Sequence, residues 1–251
     1  MTYCVGIAVA DGLVFVSDSR TNAGADQVAA HSKMYTFGLT GERQFVILSA
    51  GNLATTQSVI ATLRRDIETG AATNLMNVVR SQDAADYVGE VVRSQIEKHS
   101  AAVAAAGFSA ETTLVFGGQM AGRPTRLFMI YPQGNHIEAS DDTPYFQIGE
   151  SKYGKPVLDR VVTPQTSLEN AALAALVSMD STMRSNATVG PPIELLGYRA
   201  DSFVIDNYLR LVEDDPYLLG IRRAWGEHIN AAFSALPNFQ WSSAAPKLNI
   251  D

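Results

Sequence analysis

Thr2, Asp18 and Lys33 are residues of the types that covalent catalysis requires, placed within the first thirty-odd positions of the chain. Thr2 follows Met1, and a small side chain at that place favours removal of the methionine. With Met1 gone, Thr2 carries a hydroxyl and a free α-amine on one residue. The amine, with an unperturbed pKa of roughly 7.7 to 8.0, is partly neutral near physiological pH and can take the hydroxyl proton. A cationic Lys33 beside the hydroxyl would favour the alkoxide and, by like-charge repulsion, the neutral amine. Asp18 would anchor that lysine, because a charge withdrawn from water needs a partner. Taken singly, each residue also has a plainer reading: a threonine opening a strand, an aspartate closing one, a lysine at a solvated strand end.

The flanking pattern supplies the elements that would bring them together. Tyr3 to Val9 is a compact apolar run rich in β-formers, Ala10-Asp11-Gly12 is a turn, and Leu13 to Asp18 is a second run. Asp-Gly between two such runs predicts a tight hairpin, since Gly accepts the positive φ that a primed turn demands. The hairpin returns Asp18 to the side of Thr2. Arg20 lies two positions on, where it could pair with a carboxylate, and Lys33 precedes a further strand, Met34 to Phe37. Gln44 to Ala50 reads as a buried strand and Asn52 to Glu68 as a helix, with Leu53, Val59, Ile60, Leu63 and Ile67 at mostly three-to-four spacing. Gly51 falls at the turn between them, where unpaired amides and the helix dipole favour negative charge; a plain turn glycine fits equally well.

Thr2, Asp18-Ser19-Arg20, Lys33 and Leu48-Ser49-Ala50-Gly51 before a long helix resemble the proteasome β-type peptidases, including bacterial HslV. The opening Met1-Thr2-Tyr3-Cys4-Val5-Gly6-Ile7, the segment Ser17 to Gly24 and a length well beyond that of HslV are similar to a bacterial branch of that family. The likeness is strong over roughly the first sixty residues and is carried afterwards by the order of elements. It implies an N-terminal nucleophile hydrolase in which Thr2 attacks a peptide carbonyl, Lys33 lowers its basicity, Asp18 orients Lys33, and the Gly51 amide stabilises the oxyanion. It also implies a peptide or unfolded-protein substrate and a large homo-oligomer, ring or lock-washer, that encloses the sites. Whether an unfolding ATPase docks on it stays open.

Two departures from the family pattern stand out. The family usually has a serine just after a glycine where this chain has Glu150, so Ser151 is the supporting candidate one step later. A later Asp-x-x-Ser support reads here as Ser185-Asn186-Ala187-Thr188, its acid lost unless Asp180 and Ser181 are the true match. Without those groups the Thr2 ammonium would be poorly held and activity weak. A scaffold or binding protein that keeps the fold, or an amidase acting on a small amide or a γ-glutamyl bond, is then the alternative.

The rest of the chain suits one sandwich. Asp83 to Ala106 reads as a second helix, followed by strands at Thr112 to Gly117, Arg126 to Tyr131, His136 to Ala139 and Tyr145 to Ile148. A helix from Ser167 to about Met183 precedes strands at Ile193 to Tyr198 and Ser202 to Leu211. This order predicts an α+β fold, a four-layer αββα sandwich of two antiparallel sheets, over 1–212. Segment 213–251 adds a helix, capped by Asp215 and started by Pro216, and an aperiodic tail packed on the same domain or on a neighbour. The apolar face of that helix, from Leu218 to Phe233, reads first as core and second as a subunit contact that includes Arg222, Arg223 and Trp225.

Composition narrows the function classes. With 251 residues, 46% hydrophobic and 18% charged, the chain can bury a sizeable core, and a net charge of −7 argues against nucleic acid as a partner. Cys4 is the single cysteine and the 4 histidines show no ligand spacing, so neither metal nor cofactor is expected. No secretory or membrane-length apolar run appears, and a cytoplasmic location is expected.

Overall fold

The structure is a computed structural model that describes residues 1–22 and 28–241. Ala23 and Gly24 of the family-like segment, and Pro246 and Ile250 of the tail, lie outside the described residues.

In chain order the elements are β1 (Tyr3–Val9), β2 (Gly12–Asp18), β3 (Arg20–Asn22), β4 (Val28–Ala30), β5 (Met34–Leu39), β6 (Arg43–Gly51), α1 (Leu53–Glu68) and α2 (Ser81–Ala105). Then follow β7 (Thr112–Met120), β8 (Arg126–Ile130), β9 (His136–Glu138), β10 (Tyr145–Gly149), α3 (Lys155–Val161), α4 (Leu168–Ser185), β11 (Ile193–Arg199), β12 (Asn207–Leu211) and α5 (Pro216–Ser234). Among the described residues the strands form two 5-stranded antiparallel sheets, ordered β10-β1-β2-β11-β12 and β5-β6-β7-β8-β9, and the short pair β3-β4.

Strand alternation explains why β1 and β2 read as unbroken apolar runs. Tyr3, Val5, Ile7, Val14 and Val16 face a cluster completed by α3, α4 and the start of α5. Cys4, Leu13 and Phe15 point the other way, into a layer shared with Val46, Leu48, Val115 and Leu127 of the second sheet. The far side of that sheet packs Phe45, Ile47, Leu114 and Phe116 against Val59, Leu63, Val88 and Val92 of α1 and α2. The central strands of both sheets are covered on both faces, so they need no polar side. The α+β four-layer sandwich is the observed architecture.

Three local features differ from the expectation. The last strand starts at Asn207 and not at Ser202. Asp201 (φ 62) and Phe203 (φ 50) adopt left-handed backbone, and the Asp201 N–H and Phe203 carbonyl are held by Gln119 and Gln44 from the second sheet. The β3-β4 pair and the 7-residue α3 occupy stretches where no element was expected; they are too short to carry a readable period. In α5, Leu218 and Ile221 are buried in the core, while Ile229 is 47% and Phe233 75% exposed. Arg222, an interface candidate on sequence grounds, instead donates to Asp180 of α4 at 2.8 Å.

At Gly6 on β1 the two sheets approach closely: a Cβ there would lie 2.7 Å from Val115 Cγ1 and 3.1 Å from Leu127 Cδ1. Gly6→Val is therefore expected to lower the unfolding free energy by about 1–3 kcal/mol through overpacking, read from the midpoint of denaturant unfolding. An unchanged midpoint would contradict the close packing.

Candidate active site

The hairpin delivers Asp18 to the head of β1 by backbone register. Cys4 pairs with Ser17, and the Tyr3 N–H donates to Asp18 Oδ1 at 3.0 Å. The segment that leads into the neighbouring β11 supports the same carboxylate, through the Gly190 N–H at 3.4 Å from Oδ2. Lys33 reaches it from the segment preceding β5, with Nζ 2.7 Å from Asp18 Oδ1 and 2.8 Å from the Arg20 carbonyl oxygen. Asp18 is fully buried and Lys33 is 6% exposed. Burial pushes the Asp18 carboxyl above its ordinary value, against the opposing pull of the Lys33 ammonium and the Tyr3 and Gly190 amides.

These residues border a cleft of about 290 Å³ whose lining includes Met1, Thr2, Arg20, Lys33 and Gly51. Gly51 ends β6 with φ 122, and a Cβ there would fall 2.4 Å from the Glu111 carbonyl oxygen, so no larger residue fits. The Asn52 N–H bonds to Glu111 and the Ser49 N–H bonds to Lys33. By the alternation of an antiparallel ladder, Gly51 turns its N–H away from β7, toward the side where β5 has not yet begun. That side is the cleft. The α1 amides follow at once, capped by Asn52, whose side chain accepts from the Thr55 N–H. A carbonyl entering here would meet a hydroxyl, a lysine ammonium and a glycine amide together. Beyond Gly51 a second cleft of about 630 Å³ shares Ala50, Gly51 and Gly149 with the first and continues past Phe108 and Tyr131.

The structure brings Thr2, Asp18, Lys33 and Gly51 to one place, and it places the two supporting residues differently from expectation. Arg20 pairs with no carboxylate among the described residues; its Nη1 donates to the Ala187 carbonyl at 2.9 Å, and its own carbonyl holds Lys33. Ser151 is exposed and forms no hydrogen bond to the described residues around it. Glu150 sits in its stead. It is 6% exposed, its N–H donates to the Thr2 carbonyl at 2.7 Å, and its carboxylate accepts from Asn186 Nδ2 at 3.2 Å. Asp180 and Ser181 serve elsewhere, bonded to Arg222 and to the Val177 carbonyl. The signal for Glu150 was in the sequence, an acid directly after a glycine; its partner Asn186 was not.

Cys4 is no rival nucleophile. Its side chain is fully buried between the sheets, and burial pushes the thiol far above its ordinary value. Among the described residues no group of three or more His, Cys, Asp or Glu side chains is placed to hold a metal, and no helix is long and apolar enough to cross a membrane.

A covered double sheet with a threonine at the head of its first strand, beside a lysine, an aspartate and a strand-end glycine, defines the proteasome class of N-terminal nucleophile folds. The proteasome subunit family matches residues 2–196, and the chain belongs to that family. Within it, the chain is similar over nearly its whole length to Anbu. It is 48% identical to Anbu (ancestral beta-subunit) from Yersinia bercovieri, covering 96% of this chain and 100% of that one with a TM-score of 0.90. It is 48% identical to the Anbu complex of Pseudomonas aeruginosa, solved as a helical assembly, covering 95% and 98% at a TM-score of 0.90. An Anbu (Gly-1) mutant from Hyphomicrobium sp. strain MC1 is 43% identical, with 96% and 100% covered and a TM-score of 0.89. The sequence matches none of the curated proteins with which it was compared.

Asp18→Asn would leave the Lys33 ammonium in a closed site without its counter-charge. The expected cost is about 3–5 kcal/mol of unfolding free energy, with Asp18→Asn/Lys33→Met recovering most of it. Equal stability of the single variant and the wild type in denaturant would show that the pair carries no such load.

Proposed function

We propose that this chain is a threonine-type N-terminal nucleophile hydrolase that cleaves peptide or amide bonds with Thr2. Met1 lines the cleft that Thr2 opens on, so its removal would both clear space and expose the α-amine. The amine takes the Thr2 hydroxyl proton as the oxygen attacks a carbonyl carbon. Lys33, fixed by Asp18, favours the alkoxide, and the Gly51 N–H donates a hydrogen bond to the carbonyl oxygen as negative charge develops on it. The amine then passes its proton to the leaving nitrogen. Water, deprotonated by the same amine, releases the acyl group and restores Thr2.

The observation that carries this reading is the buried Lys33 ammonium 2.7 Å from Asp18 at the wall of a cleft lined by Thr2 and Gly51. A cation so placed has a specific use beside a hydroxyl nucleophile. The second cleft, continuous with the first at Gly51, supports an extended peptide or unfolded segment over a small amide. The helical assembly reported for the Pseudomonas aeruginosa relative supports a homo-oligomer, ring or lock-washer, that encloses these sites. In this reading 1–212 is the hydrolase unit, 213–251 an appendage on it or on a neighbour, and the compartment the cytoplasm.

The test is intact-mass analysis of the native protein with and without a peptide electrophile directed at hydroxyl nucleophiles. The expected result is loss of Met1 and one adduct mapped to Thr2. Thr2→Ala should abolish both adduct and turnover while keeping the oligomer, and Lys33→Met should slow acylation by about 10²–10³-fold, the order seen when one charge-stabilising group is removed. Retention of Met1 with no labelling would instead favour a scaffold that keeps the fold without the chemistry.

A further inference from the structure

Glu150 is joined to Thr2 before any chemistry occurs. Gly149, at φ 83, lets the chain turn so closely that a Cβ there would lie 2.1 Å from the Thr2 carbonyl oxygen. The next N–H, that of Glu150, donates to the same oxygen at 2.7 Å. The Glu150 carboxylate is turned inward and takes neutral donors at both oxygens: the Lys152 N–H at 3.2 Å and Asn186 Nδ2 at 3.2 Å. Asn186 is itself oriented, since its Oδ1 accepts from the N–H of Thr188 at 3.0 Å and from its hydroxyl at 2.6 Å, which leaves the NH₂ end for Glu150.

Among the described residues no lysine, arginine, histidine or terminal amine forms an ion pair with Glu150. Buried carboxylates are ordinarily paired. Those on either side are: Asp18 has Lys33 and Asp180 has Arg222. Buried Glu194 differs in taking two hydroxyl donors, from Ser19 at 3.2 Å and Tyr208 at 2.6 Å. Removal of Met1 creates a positive charge on the very residue that the Glu150 backbone holds.

We infer that Glu150, steadied by Asn186, is the positioning residue that receives the Thr2 α-amine and sets its orientation and basicity. The inference rests on the Thr2 reading above. The charged groups that the packed elements bring to the head of β1 are Asp18 from the end of β2, Lys33 from the segment before β5, Arg20 from β3 and Glu150 just after β10. The C-cap of α4 and the turn after it contribute the neutral Asn186 and Thr188. Lys33 pushes the amine toward its neutral form and Glu150 toward the ammonium, so the two together fix the pH at which the base becomes available. The two departures from the family pattern become one compensation: the acid missing near Ser185 is supplied from Glu150, and Asn186 links the two positions. The support for Thr2 that Ser151 does not provide comes from its neighbour.

The experiment measures the α-amine directly, apart from turnover. Wild type, Glu150→Gln and Asn186→Ala are confirmed by mass to lack Met1, and the pKa of the Thr2 amine is read from the pH dependence of its acetylation by trace acetic anhydride. Loss of a nearby opposite charge is expected to lower that pKa by about one unit in Glu150→Gln, with a smaller shift of the same sign in Asn186→Ala. At a pH where the amine is neutral in every variant, Thr2 should react with the electrophile at least tenfold more slowly in Glu150→Gln. Oligomer size should be unchanged. Identical amine pKa values in the wild type and whichever variants fold would reduce Glu150 to a turn residue and overturn the inference while leaving Thr2 as the nucleophile. Retention of Met1 in the wild type would remove the nucleophile and this inference with it.

Discussion

The buried Asp18–Lys33 ion pair is the constraint around which the rest of the molecule is arranged. Two charges held 2.7 Å apart with almost no access to water pay a desolvation penalty that their mutual attraction need not repay. The site meets that cost with further hydrogen bonds: Asp18 takes amides from Tyr3 and Gly190, and Lys33 takes the Arg20 carbonyl. Even so, burial leaves the Asp18 carboxyl raised. A packed apolar pair in the same place would ask less of the fold.

Each of those supporting bonds comes from a different part of the architecture. Tyr3 opens β1, Gly190 precedes β11, Arg20 opens β3, and Lys33 enters the second sheet through β5. The pair therefore forms only when both sheets are assembled and stacked, and it joins the end of the central β2 to the start of β5 beside the cleft. The close approach at Gly6, the turn held by Gln119 and Gln44, and the shared core of Phe15, Val46 and Val115 all act on that same stacking. The fold positions the site to within hydrogen-bond distances because the layer between the sheets has no slack.

Much of this was legible in the chain. The hairpin followed from Asp11-Gly12 and two β-rich runs, and it brought Asp18 to Thr2 without any reference to the rest of the molecule. The β6-Gly51-α1 turn followed in the same way, from an apolar strand, a glycine and a three-to-four period, and the φ of 122 at Gly51 gives that glycine its reason. The strand expected from Ser202 begins only at Asn207. Asp201 and Phe203 are held in left-handed backbone by side chains of the other sheet.

What the sequence by itself determined, then, is whatever depends on near neighbours: turn chemistry, strand and helix periods, helix starts at Ser167 and Asp215, and the candidate nucleophile with its adjacent acid. Tertiary structure alone decided which distant partners meet. Glu150 finds Asn186 36 positions away, Arg20 turns to the Ala187 carbonyl instead of a carboxylate, and Asp180 is claimed by Arg222 of α5. No period or turn rule encodes such pairings, because they are fixed by how two sheets and their covering helices pack. A buried polar group then takes the partner that packing sets before it.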